Sequence, residues 1–237
     1  MQDMRTVLLS MALLLDCGLA FAQDGNDLRS VVAEQQKVVE QFFGQPMPHP
    51  FELRIFREKS EMNEFVRKQW QMPELPCSAV AMGAGSALAV LSPAVWKTQA
   101  CEHDPADHKA TEKLLARELV HVFHGQNRPD DSEFMRAGDA RWFVEGLAVY
   151  VSGQLDPARL KQAADLVRAG KAPTKLAEAW SGEARDAVAG SIVKFLAKRI
   201  DRTKLTTLLP MSTTAEIMAA VGMQEDEFLK AWRNSLQ

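Results

Sequence analysis

Apolar side chains recur at helical spacing through 28–43, where Val31, Val32, Val38, Val39, Phe42 and Phe43 stand among polar residues until Gly44 and Pro46 close the run. The next segment, 51–56, changes period: Phe51, Leu53 and Ile55 alternate with Glu52 and Arg54, the pattern of a half-buried strand ending at Phe56. Ser60 opens a second helix with Phe65, Val66 and Trp70 on its apolar side, and Pro73 and Pro76 stop it. The small apolar run 80–91, interrupted by Gly83 and Gly85, predicts a short hairpin with its second strand at 87–91, and Ser92-Pro93 ends it. A polar stretch, 96–109, then predicts a long ordered loop.

From there the helical period dominates. Helices are predicted over 111–124, with Gly125 as a left-handed cap, and over 139–152, ending at Gly153. Another starts at Asp156-Pro157 and stops at Gly170, with N-cap, first-turn proline and terminal glycine in the usual order. Segments 184–200, 213–221 and 225–235 complete the series, and Thr213 with Glu216 has capping-box spacing. Strands at the front and helices behind make an α+β chain, a small N-terminal sheet with a mainly helical C-terminal part. No internal repeat or low-complexity linker divides it, so 23–237 reads as one domain.

Composition changes this picture at the N-terminus. Arg5 precedes an apolar run over 7–15, and Ala20-Phe21-Ala22 offers a small-residue cleavage site, so 1–22 reads as a signal peptide cut after Ala22. Asp16 interrupts the run short of the roughly 20 residues needed to span a bilayer, and it also disfavours lipidation at Cys17. The expected location is secreted or periplasmic, with no stable membrane span after the signal is removed. In such a compartment Cys77 and Cys101 are expected to pair, the alternative being two buried free thiols. A formal charge of −3 without a basic run argues against nucleic acid as a partner.

The chemistry concentrates in two segments: Arg117-Glu118-Leu119-Val120-His121, and Trp142-Phe143-Val144-Glu145-Gly146-Leu147-Ala148. On a helix Arg117 and His121 differ by about 40° in projection and His124 falls on the same side. Glu118 is one residue round from Arg117. Gly146, Leu147 and Ala148 would let a neighbouring helix approach, and a buried Glu145 beside them needs a partner.

Together, segments 87–153 resemble the gluzincin metallopeptidases of the peptidase MA-like group, whose HExxH helix is followed by a second helix carrying a glutamate ligand. The resemblance implies that Glu118 is the catalytic base and that His121 and Glu145 are zinc ligands on a gluzincin-like helix pair. It also implies zinc as cofactor if the site is functional, and none otherwise. Arg117 stands where the first histidine ligand belongs, and a guanidinium offers no lone pair to a metal.

Three readings follow. A secreted pseudopeptidase would pair Arg117 with Glu145 and keep a cleft for a peptide or protein ligand. An active zinc hydrolase would need a replacement ligand, such as His124, or His103 or His108. A secreted binding or scaffold module would use these residues only structurally.

Other residues take blander roles. Tyr150, the one tyrosine, is expected to pack rather than to bind an oxyanion, Asp186 standing where such a group belongs. Trp180, Phe195, Phe228 and Trp232 are expected in the core, and His49, His103 and His108 at the surface.

Overall fold

The computed structural model describes residues 27–128 and 138–237. The signal peptide expected over 1–22 lies outside the described residues. Helix α1 covers 27–43. Strand β1 (Glu52–Phe56), helix α2 (Lys59–Trp70), strands β2 (Ala81–Ala84) and β3 (Ala87–Leu91) and the short helix α3 (Trp96–Gln99) follow. Then come α4 (His108–Gln126), α5 (Arg141–Val151), α6 (Pro157–Arg168), α7 (Arg185–Ala197), α8 (Arg202–Thr207), α9 (Thr214–Val221) and α10 (Glu225–Asn234). The architecture is α+β and mostly helical.

The sheet explains its own sequence. Its order is β1-β3-β2, with β1 parallel to β3 and β2 antiparallel to it. Every residue of the central strand β3 is buried, because both faces are covered. Leu88 and Val90 point into a core with Leu115, Leu119, Val122 and Phe123 of α4. Ala87, Ala89 and Leu91 point the other way, to Met62, Val66 and Trp70 of α2 and to Trp96. Period two thus sorts one five-residue run into two cores. The parallel partnership of β1 with β3 had no counterpart in the sequence, since α2 and the hairpin separate the two strands.

Helix α4 lies against β2 at very short range, and two glycines permit it. A Cβ on Gly83 would collide with the Glu118 carbonyl, and one on Gly125 would lie 2.6 Å from the Gly85 nitrogen. Gly125 was expected to be a left-handed cap. It lies inside α4 instead, selected for close approach to the hairpin turn, and the helix continues to Gln126. The helix also begins earlier than its apolar period suggests, because the Asp107 carboxylate caps it by accepting from the Ala110 N–H. The long loop expected over 96–109 is thereby shortened at both ends, by α3 and by the first turn of α4.

Behind α4, α5 packs against both α4 and α7. Gly146 is the contact residue, as a side chain there would run into the backbone of Ala189 in α7. The expected terminal glycines Gly153 and Gly170 are left-handed, at φ 71° and 65°, and the Thr213–Glu216 capping box is present. Cys77 and Cys101 form a disulfide with Cα atoms 5.4 Å apart, tying the segment that enters β2 to the loop before α4. No helix among the described residues is long and apolar enough to cross a membrane.

Candidate functional site

A cleft of about 960 Å³ lies between β2 with the segment before it and the helices α4, α5 and α7. Arg117, Glu118 and His121 reach it from α4, Glu145 from α5 and Asp186 from α7. Their neighbours are set by the close helix contacts just described, so the charged groups converge where three helices meet.

Arg117 is the hub. Its Nη2 lies 2.8 Å from Glu145 Oε2, and its Nη1 donates to Asp186 Oδ1 and to Gln154 Oε1, each at 3.2 Å. Its guanidinium carbon sits 5.5 Å from the centre of the Trp180 ring. Burial alone would pull the arginine's pKa down, but the carboxylates of Glu145, Glu118 and Asp186 more than offset it and hold the charge in place. Burial likewise opposes ionisation of Glu145. His121, whose Nε2 is 3.5 Å from Glu145 Oε2, and Arg117 outweigh it and keep the carboxyl well below the usual range. Glu118 goes the other way. Its Oε2 accepts the Gly83 N–H at 2.9 Å, yet desolvation dominates and raises its pKa.

These residues do not suit a zinc ion. His121 and Glu145 are the imidazole and carboxylate of the implied ligand set, but the carboxylate already holds a guanidinium at hydrogen-bond distance. Among the described residues no group of three His, Cys, Asp or Glu side chains is arranged to hold a metal.

Of the proposed replacement ligands, His124 and His108 lie outside the cleft and His103 lies on its wall. His124 is wholly buried, stacks edge-on to Phe143 and donates from Nε2 to the Leu209 carbonyl at 3.0 Å. Angular projection puts it on the Arg117 side, but seven residues of helix separate the two by about 10 Å along the axis. His103 does line the cleft, where its Nε2 meets the Ser78 carbonyl at 2.6 Å. His108 is exposed at the start of α4. Tyr150 packs edge-on against Phe42, away from the charged cluster.

Two participants escaped the sequence reading. Gln154 lies beyond the end of α5 and had no pattern to mark it. Trp180 was assigned to the core with Phe195, Phe228 and Trp232, which are buried. It instead lines the cleft between two cations, with Arg117 at 5.5 Å and Arg185 at 5.4 Å from its ring. Trp180 follows the single helical turn Leu176–Glu178, where no apolar period operates.

His124 gives a pH signature. Burial first, then repulsion from Arg128 and His121, push its pKa down to about 3, against 6.5 for a free imidazole. The unfolded chain therefore takes up a proton that the fold refuses, so this stability is full above pH 6.5 and declines as pH falls toward 3. Glu118, raised, acts in the opposite sense, so the histidine's share is read by comparison with a variant. From pH 7 to pH 5 wild type is expected to lose about 2 kcal/mol more than His124→Gln, measured by urea unfolding. Parallel pH profiles would show that His124 is not buried neutral.

Compared with known protein families, with characterised proteins and with solved structures, the chain gives no match.

Proposed function

We propose that this protein is an exported pseudopeptidase, a chain that resembles the gluzincin metallopeptidases and holds polypeptide in its cleft without cleaving it. One observation carries the reading: the Arg117 guanidinium sits between Glu145 and Asp186, at 2.8 Å and 3.2 Å, where the resemblance calls for a metal-bound imidazole. A fixed cation there satisfies carboxylates that would otherwise have to be paired with an ion, so the pocket keeps its acids without needing a metal. Hydrolysis then lacks a metal to activate water, since Arg117 offers no lone pair and occupies the Glu145 carboxylate, while Glu118 accepts the Gly83 N–H.

The cleft itself supports polypeptide as the ligand. One wall is the sheet edge β2, and the Gly83 N–H turns away from β3 to meet Glu118. The alternating backbone then presents Ala81 outward on the same side, as an edge that an extended chain can join. The Cys77–Cys101 disulfide supports the exported location, because such bonds persist in oxidising compartments.

The test is to mix the mature protein with unfolded polypeptide, with and without added zinc, and to follow complex formation and cleavage together. A complex without cleavage in either condition is expected. Zinc-stimulated cleavage that disappears in Glu118→Gln would refute the proposal.

A further inference from the structure

Charge around the cleft is not evenly spent, and the imbalance points to a class of ligand. Arg117 is saturated by Glu145, Asp186 and Gln154. Arg159 is held by the Gln154 carbonyl and by Asp156. On the acidic side, Glu145 and Asp186 hold Arg117, and Glu118 accepts from Gly83.

Among the described residues, two guanidiniums on the cleft are weakly engaged. Arg141, at the start of α5, has a side chain 63% exposed and comes only within 3.8 Å of Glu145 Oε1, a carboxylate already committed to Arg117. Arg185, at the start of α7, is exposed and lies over the Trp180 ring at 5.4 Å. Against them stands Glu102, exposed on the opposite rim.

We propose that the cleft selects extended polypeptide segments bearing acidic side chains, which Arg141 and Arg185 recognise from the α5–α7 wall. This rests on the peptide-holding reading above and adds its specificity. A guanidinium matches a carboxylate with two parallel hydrogen bonds, a geometry that a ligand amide cannot reproduce with the same charge assistance. Trp180 helps by holding one such plane in position, so less freedom is lost when a carboxylate arrives. The buried cluster holds one cation against two carboxylates and so offers no spare positive charge, which leaves recognition of an acidic side chain to the rim. Exposed pairs are individually weak and screened by salt, so the preference is modest and largest at low ionic strength.

The test uses two labelled peptides on one serine-, glycine- and leucine-containing frame, one with glutamates and one with glutamines at the same positions. Fluorescence anisotropy at low salt is expected to give about fivefold tighter binding of the glutamate peptide, and the margin should shrink at high salt. In the Arg141→Gln, Arg185→Gln double variant the two peptides should bind alike. Equal binding of the two peptides to wild type, or a preference that survives in the double variant, would overturn the acidic specificity and leave peptide holding intact. No binding of either peptide would overturn peptide holding and this inference with it. A heparin fragment that outcompetes the glutamate peptide would overturn the assignment in favour of a polyanion.

Discussion

Arg117→Met is expected to destabilise the protein by about 3 kcal/mol at neutral pH and low salt, which lowers the midpoint of thermal unfolding by roughly 6–12 °C in a chain of this size. The arginine is the common partner of Glu145 and Asp186, whose side chains are 18% and 30% exposed. Methionine fills much of the same volume but removes the cation the two acids share, leaving Glu145 only the longer contacts to His121 and Arg141. Removing one member of a buried pair costs about 3–5 kcal/mol, and the partial exposure of Asp186 argues for the lower end. Part of the loss should return when Glu145→Gln is added, because the second substitution removes the stranded charge. A double-mutant cycle should give a coupling of about 1–3 kcal/mol.

The pH dependence of the same variant has a definite sign. Glu145 has its folded pKa held below the ordinary 4.5, so its contribution is present above that value and lost as pH falls through the folded one. His121 and Arg117 together cause that depression, and losing Arg117 removes the second of them. Wild type and Arg117→Met should therefore differ most near neutrality and converge in acid. Equal stability of the two proteins at pH 7 would mean that Arg117 is an incidental surface charge.

Much of the scaffold could be read from residue order alone, for reasons that are local. Caps at Asp156 and Thr213 and terminal glycines at Gly153 and Gly170 act within a turn of their helix, so sequence proximity is enough to find them. The hairpin β2–β3 was visible for the same reason. What failed was long-range. Nothing near 51–56 announces a parallel partner at 87–91, and nothing at Gly125 distinguishes a cap from a contact with a turn forty residues earlier.

The site divides along the same line. Helical spacing correctly placed Arg117, Glu118 and His121 on one cleft, but it gives angle without height, and so it carried His124 into a cluster from which the helix rise removes it. Gln154 and Trp180 come from a helix end and a loop, where no period operates. Charge reasoning did better than periodicity for Glu145: a buried carboxylate needs a partner, and the structure provides it in Arg117.

The second large effect concerns the metal. Arg117→His replaces the guanidinium by a donor at the position the HExxH spacing requires, next to His121 one helical turn on and to Glu145 on the neighbouring helix. Two changes act together: the competing cation leaves the Glu145 carboxylate, and a third donor arrives. Zinc affinity is expected to rise by about a hundredfold, a third protein ligand and the removal of a like charge each contributing about 1.4 kcal/mol, a factor of ten. Adding His121→Ala to this variant should abolish the gain.

Isothermal titration of zinc into metal-free wild type and Arg117→His, with metal content checked after dialysis, addresses the role of Arg117 most directly. The expected result is no stoichiometric uptake by wild type and one zinc per chain in the variant. One tightly held zinc in wild type, lost on His121→Ala, would contradict it.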